Sequence, residues 1–328
     1  MANEQKPAAP IARKNHYVPQ MYLSGFANAD RQCFVVDAST RKSFIASPAK
    51  IAAERDFNRI DADGVPPDAL EKELGKFEGV IAPGIQRVRT SATFGRDGAD
   101  RADVINLITL LAVRNPRKRK EMDRLFTGLF QAMIEMPFDT KERWEASVSQ
   151  MRTAGRWPAD APADYEGYKK FFEENKDKLR PSKNFHLEME LDQLTQMYPY
   201  FDVRRWRILK AGDGTGGFVT TDFPVCVHRA TDGINYGQQF APGFSLADRD
   251  ILFSLSPKVA LLGHFEGEED VVDVGLHSVA SFNSTIMGYA MKQIYAVNDQ
   301  FHYTRPAPQP LGKGSTLLQD PNLSVRED

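Results

Sequence analysis

His16 is the side chain near the start of the sequence whose type and position best suit acid–base chemistry. Imidazole titrates near neutral pH, so it can both accept and donate a proton. Pro19 favours the first turn of a helix and pushes Val18 towards extended backbone. His16 is therefore predicted to stand just before a short helix. It is either a catalytic or ligand-binding imidazole or a structural one bonded to a backbone carbonyl.

Arg114 and Asp222 each end a predicted regular element. Arg114 follows the apolar run Val104–Val113, so its guanidinium is predicted to be buried and to need a carboxylate, an anion or the last helix carbonyls as its partner. Asp222 follows a predicted strand and precedes Pro224, where a carboxylate either serves a site or caps a turn. We expect His16 and Asp222 to lie in one pocket.

Glu71 and Glu78 are two helical turns apart at the edge of an apolar stripe. This spacing places them about 10 Å apart along the helix axis. They could therefore bind one divalent cation only with ligands from elsewhere. The alternative is that both are solvated residues that pair with neighbouring lysines.

Three further polar residues are candidates for substrate binding. Arg117 and Arg119 open a helix, where positive charge is unfavourable unless an anion or acidic partner is present. The alternative is a solvated basic surface balanced by Glu121. Asn283 lies on the apolar face of a predicted helix, so its amide must find partners.

The elements that would position these residues fall into separate blocks of the sequence. A hairpin over 32–46 and a short strand over 55–60 precede a run of helices, and strands dominate after residue 201. The glycine-rich turn 213–217 lacks the pattern of a phosphate loop and is predicted to join strands 203–210 and 217–221 into a hairpin. With no βαβ alternation, the prediction is an α+β fold in which an N-terminal hairpin and a central helical bundle pack with a C-terminal, mostly antiparallel sheet.

The predicted organisation is a single domain between two disordered tails. The tails are residues 1–14 and 304–328, and the domain covers 15–303. Within it, the helical part covers about 66–200 and the sheet part about 201–296.

Composition narrows the class of protein. Of 328 residues, 41% are hydrophobic and 26% charged, with a net charge of −2, which is typical of a soluble globular protein and argues against a strongly basic nucleic-acid coat. The sequence contains neither a secretory signal nor an apolar run of about 20 residues. The cytoplasm is therefore the expected location, with Cys33 and Cys226 reduced.

An ordered set of short motifs resembles a bacterial family known as domain of unknown function 4238. The resemblance extends from about His16 to Tyr295 and has no established reaction attached to it. The motifs are His16-Tyr-Val-Pro-Gln20, Glu71, Glu78, Arg114-Asn-Pro-Arg117, Trp206, Thr221-Asp-Phe-Pro224, Leu255-Ser-Pro257 and Asn283.

Two functional hypotheses follow from these residues. In the first, the chain is a phosphoester hydrolase, with nucleic acid as a candidate substrate, His16 as acid/base and the arginines holding phosphate. Asp222 and one of the two glutamates would bind a divalent cation or orient water. In the second, the chain is a sensor or protein-binding module in which the same residues form a structural network. A stress or phage-defence role belongs to the second by analogy only.

Overall fold

The computed structural model describes residues 13–229 and 243–323, which form parts of two compact units. The first unit contains residues 1–115 and 190–328, and the second contains residues 116–189. Helices and strands occupy mostly separate stretches of the chain, and the sheets are antiparallel apart from one parallel strand pair, which confirms the α+β class. The sequence predicts one domain over 15–303, whereas the described chain clusters into two units.

The helices follow the predicted order. Their bounds are α1 (Gln20–Leu23), α2 (Ala69–Ser91), α3 (Ala99–Val113), α4 (Pro116–Glu135), α5 (Lys141–Thr153), α6 (Tyr165–Asn175), α7 (Lys183–Asp202) and α8 (Leu276–Met287). The predicted stripe of α2 buries Leu70, Leu74, Ile81, Ile85 and Val88. The apolar helix α3 is buried over most of its length, as expected for a helix without a polar face.

The strands form four sheets in the described part of the chain. Their bounds are β1 (Lys14–His16), β2 (Cys33–Asp37), β3 (Lys42–Ala46), β4 (Ala53–Arg55), β5 (Arg205–Ala211), β6 (Thr220–Thr221), β7 (Val225–Arg229), β8 (Arg249–Ser254), β9 (Val259–His264), β10 (Val271–Val274), β11 (Gln293–Ala296), β12 (His302–Tyr303) and β13 (Gly312–Lys313).

The five-stranded sheet, ordered β10-β5-β9-β8-β7, is the centre of the first unit. Strand β8 is apolar on both faces over residues 251–253, because both faces of the sheet are covered there. Ile251 and Phe253 of β8 pack in the core that contains α2 and α3, whereas Leu252 between them packs in the core that contains α8. This alternation follows from the two-residue period of a strand.

The predicted hairpin over 203–221 does not form. β5 pairs with β9 and β10, and β6 pairs instead with β11 in a four-stranded sheet ordered β3-β2-β11-β6. Gly216 and Gly217 have φ of +78° and +81°, a backbone region open mainly to glycine. These glycines redirect the chain from one sheet to the other.

The N-terminal hairpin is part of that same four-stranded sheet. β2 pairs with β3 as predicted, but it also pairs with β11, with Val35 opposite Tyr295. Sequence analysis placed this hairpin apart from the C-terminal strands. The structure places both in one sheet.

The second unit has a small aromatic core. The ring of Phe138 stacks on Trp144 at 4.8 Å and on Phe172 at 5.6 Å between centroids. Helix α5 begins after Thr140, whose hydroxyl accepts a hydrogen bond from the Arg143 backbone N–H at 3.2 Å. Such caps satisfy one of the free donors at a helix start.

The C-terminal segment is more ordered than predicted. Residues 304–323, assigned to a disordered tail, contain β13 and a 3-10 helix over Gly314–Gln319. The Tyr303 hydroxyl donates to the buried Asp320 carboxylate at 2.8 Å, which anchors this segment. Residues 1–12 and 324–328 of the predicted tails lie outside the described chain.

Cys33 and Cys226 are buried free thiols. Within residues 13–229 and 243–323, no helix is both long and apolar enough to cross a membrane.

Candidate active site around His16

A small polar cavity of about 170 Å³ lies beside His16 in the first unit. It is bounded by β1, the start of α1, the turn after β4 and one face of α2. Its lining residues are His16, Gln20, Asn58, Glu71, Leu74, Gly75 and Glu78. Three of the eight residues selected from the sequence therefore meet here: His16, Glu71 and Glu78.

The backbone around His16 is fixed by strand pairing and by Pro19. β1 pairs antiparallel with β4, with His16 opposite Ala53. The Tyr17 N–H then donates to the Ala52 carbonyl at 3.1 Å. Pro19 has φ −55° and ψ 137° and precedes α1 directly. His16 consequently stands before the helix, as the sequence predicts.

Arg89 holds α1 in place from the neighbouring helix α2. Its guanidinium donates to the carbonyls of Met21 at 3.1 Å, Tyr22 at 2.7 Å and Leu255 at 2.9 Å. Burial lowers the Arg89 pKa to about 10. Gly25 permits this approach, because a Cβ at that position would lie 2.4 Å from the guanidinium carbon.

The two nitrogens of the His16 ring have different surroundings. Nδ1 lies 3.3 Å from the Gln20 side-chain amide nitrogen, which can donate to it. Nε2 is buried and makes no hydrogen bond of normal geometry with the described residues, although the nearby carbonyls of Ala49 and Pro48 favour a proton on the ring. This arrangement favours the neutral tautomer with its proton on Nε2, which leaves Nδ1 as the basic atom.

The imidazole is biased towards its neutral form. Burial and then the charge of Lys14 lower the His16 pKa, and the Glu71 carboxylate opposes them. A neutral ring at pH 7 can accept a proton, and Glu71 would stabilise the imidazolium that results.

A hydrogen-bonded chain links Glu71 to Arg114 through the buried Asn58. Arg114 Nη2 donates to Asn58 Oδ1 at 2.5 Å, and Asn58 Nδ2 donates to the Glu71 carboxylate. The Asn58 backbone N–H is held by Asn15 Oδ1 at 3.2 Å. Arg114 is only 2% exposed, as predicted, but it does not line the cavity. It positions Glu71 through Asn58.

Glu78 is the second titrating group of the cavity. Burial raises the Glu78 pKa to about 7. The positive charge of Arg114 lowers this pKa, and the negative charge of Glu71 raises it. Glu78 therefore exchanges a proton near neutral pH. Two neighbouring groups whose environments shift their pKa values in opposite directions are typical of acid–base sites.

Asp222 does not belong to this cavity. Its fully buried carboxylate accepts backbone N–H groups of Met291 and Lys292, both at 2.8 Å, and of Gln293 at 3.0 Å. Burial raises the Asp222 pKa to about 6, against the effect of these three donors. The carboxylate is thus used to connect β6 to the start of β11, and it does not line the cavity beside His16.

The predicted substrate-binding residues are also placed elsewhere. Asn283 is fully buried and bonded to backbone groups. Arg117 and Lys118 belong to the second unit, where both pair with Glu121. Their side chains are 13% and 17% exposed. Their pairing with Glu121 matches the alternative interpretation, but these two side chains are not fully solvated, and Arg119 is half-buried.

Sequence reasoning missed Asn58 and Gln20. Asn58 fell in a predicted strand over 55–60, but β4 ends at Arg55 and Asn58 lies in the turn that follows. Gln20 belonged to the quoted motif but was given no role. The described residues contain no cluster of three or more His, Cys, Asp or Glu side chains arranged to hold a metal ion.

Comparison with known proteins identifies a family but no individual protein that the chain matches. No curated protein and no solved structure matches the chain significantly. A family model described as "protein of unknown function (DUF4238)" matches residues 14–300, which include every residue of the cavity. The chain belongs to the DUF4238 family.

Proposed function

We propose that the chain is a hydrolase in which His16 and Glu78 transfer protons to and from a substrate in the cavity. The observation that carries this proposal is the meeting of a half-buried imidazole with two glutamates around one cavity. In this proposal, His16 Nδ1 is the general base that activates a water molecule, which takes the place of the Gln20 amide at this atom. Protonated Glu78 is the general acid that protonates the leaving group.

Glu71 and Arg114 have supporting roles. The negative charge of Glu71 favours the imidazolium formed when His16 takes a proton. Asn58 fixes Glu71, and Arg114 fixes Asn58. A carboxylate whose charge stabilises the imidazolium formed by the base is a recurring feature of hydrolytic enzymes.

The size and charge of the cavity restrict its substrate. A volume of about 170 Å³ is below that of typical ligand pockets, so it fits the reacting group of a substrate. The carboxylate of Glu71 disfavours a bare phosphate, and a phosphoester would need a divalent cation beside the glutamates. The proposed substrates are therefore small carboxyl esters. Phosphoesters, including nucleic acid, would be substrates only when a divalent cation is bound beside the glutamates.

The test is hydrolysis of model substrates by the purified chain. p-Nitrophenyl acetate, bis(p-nitrophenyl) phosphate and single-stranded RNA would be assayed with and without Mg²⁺. At least one class should be hydrolysed, and His16→Gln and Glu78→Gln should each reduce kcat by roughly 10²- to 10⁴-fold. Glu73→Gln is the control, because Glu73 is exposed on the same helix and pairs with Lys76. No turnover above that of the His16→Gln/Glu78→Gln double variant would refute the proposal.

A non-enzymatic binding module is the second candidate. The observation favouring it is that Arg114, Asp222 and Asn283 all bond to the protein itself. Under this reading, His16→Gln and Glu78→Gln change stability, and the assays above detect no turnover.

A further inference from the structure

A second cleft of the first unit lies beside the glycine-rich turn 212–217, and none of its residues belongs to the His16 cavity. Its volume is about 610 Å³, a size suited to a small organic ligand. We call it the glycine-loop cleft. Its lining includes the polar side chains of Lys258, Lys313, His302, Asn298 and Gln300.

The backbone of the turn is pressed against the walls of the cleft. Gly216 has φ +78°, and a Cβ there would lie 2.1 Å from the Gln300 carbonyl oxygen. The corresponding Cβ at Gly217 would lie 2.8 Å from the Pro257 carbonyl oxygen. The N–H groups of Gly214 and Gly216 make no hydrogen bond with any described residue. Both donors therefore remain for a ligand.

Asn283 fixes two walls of the cleft relative to each other. Its Nδ2 donates to the carbonyls of Gly217 at 3.0 Å and His302 at 2.9 Å. Its Oδ1 accepts the Val219 N–H at 3.0 Å. The residue selected from sequence as substrate-binding thus acts as a positioning residue for this cleft.

The charged groups of the lining are all basic. Lys258 and Lys313 contribute ammonium groups, and no Asp or Glu lines the cleft. His302 Nδ1 donates to the Thr215 carbonyl at 3.0 Å, which leaves Nε2 for other partners. Helix α8 begins at Leu276 on the cleft wall. The positive end of its dipole therefore adds to the positive charge of the lysines.

Two acidic residues outside the lining bond to its side chains: Asp299 accepts from the Gln300 amide at 2.5 Å, and Asp213 competes for the charge of Lys258. Asp213 pairs with Lys258 at 2.8 Å while remaining fully exposed. An anion that enters the cleft would therefore displace an exposed carboxylate from Lys258. Lys313 has no ion pair among the described residues and is free to contact the anion directly.

We propose that the glycine-loop cleft binds a small phosphate-bearing molecule. The lysines, the free glycine N–H groups and the Asn298 amide would hold phosphate oxygens. The Gln300 amide already donates to the Asp299 carboxylate at 2.5 Å. The apolar wall formed by Pro257, Leu276 and Val297 would contact the organic part. This site is independent of the proposed hydrolase activity.

Isothermal titration calorimetry with inorganic pyrophosphate at low salt tests this proposal. The Lys258→Met/Lys313→Met variant should bind at least about tenfold more weakly, because charge-assisted hydrogen bonds to phosphate are lost. The matched control is Lys42→Met/Lys210→Met. Lys42 is exposed on β3, and Lys210 is a strand lysine paired with Asp273 at 3.1 Å. The control should bind pyrophosphate as the wild type does.

Asp213→Asn gives a test of opposite sign. Freed from its ion pair, Lys258 should bind pyrophosphate more tightly, so affinity should increase in this variant. Three results would overturn the proposal: no binding at millimolar pyrophosphate, equal weakening in the control, or unchanged affinity in both the double lysine variant and Asp213→Asn.

Discussion

Glu78→Gln should stabilise the first unit at pH 8 and leave its stability unchanged at pH 4. Burial raises the Glu78 pKa from the ordinary 4.5 to about 7. The unfolded chain therefore releases this proton at a lower pH than the folded chain does. The resulting cost to folding is absent below pH 4.5, grows as the pH rises from 4.5 to 7, and is complete above pH 7.

The size of this effect follows from the two pKa values. A rise from 4.5 to about 7 corresponds to about 3 kcal/mol, since each pKa unit is worth about 1.36 kcal/mol. Glu78 borders an open cavity, where water screens its charge, so we expect about half of that amount, roughly 1.5 kcal/mol at pH 8. Glutamine keeps the size and polarity of the side chain and removes the ionisation.

The assay is urea unfolding at pH 4, 6 and 8. Unfolding is monitored by hydrogen exchange of peptides from α2, so that the stability of the first unit is measured separately from that of the second. Glu73→Gln is the control on the same helix, because Glu73 is 66% exposed and should change stability by less than about 0.5 kcal/mol at every pH. The reasoning fails if Glu78→Gln is no more stable than the wild type at pH 8. It also fails if the difference is the same at pH 4 and pH 8.

Three further substitutions test contacts in the same unit. Gly25→Ala should lower stability by about 2 kcal/mol, because its Cβ would displace the Arg89 guanidinium; thermal unfolding measures this, and an unchanged Tm would contradict it. Asp222→Ala should cost about 3 kcal/mol in urea unfolding, because three buried N–H groups lose their acceptor; a loss below about 1 kcal/mol would count against this. Arg114→Met should lower the free energy of unfolding by about 3 kcal/mol. It should also raise the Glu78 pKa, since the charge of Arg114 lowers it. Carboxyl ¹³C NMR measures this pKa, and an unchanged value would contradict the prediction.

Local signals in the sequence were sufficient for most helices and strands. The apolar stripe of α2 and the largely apolar run Val104–Val113 of α3 predicted the burial of these segments, because side-chain periodicity reflects which face meets the core. Strand partners were less predictable. β6 pairs with β11 and not with β5, since pairing across sheets depends on long-range packing that a local pattern does not contain.

The candidate site was predicted in part, for a similar reason. His16, Glu71 and Glu78 are polar residues next to apolar segments, and burial of those segments brought them together. Asp222 has the same local character, yet its partners are backbone amides about 70 residues further along the chain. A sequence shows that a carboxylate must find donors, but it does not show whether those donors belong to the protein or to a ligand.

Arg114 and Glu71 shift the Glu78 pKa in opposite directions, so burial is the main factor that determines whether Glu78 is protonated. Arg114 lowers the Glu78 pKa and Glu71 raises it, and Asn58 is hydrogen-bonded to both of these residues. Neither charge can move without breaking the contacts of this buried amide. The remaining variable is water in the cavity, because desolvation is the largest cause of the raised pKa. An uncharged group that enters the cavity and displaces water should therefore raise the pKa further and cause Glu78 to take up a proton. Substrate binding would then prepare the general acid for the step that requires it.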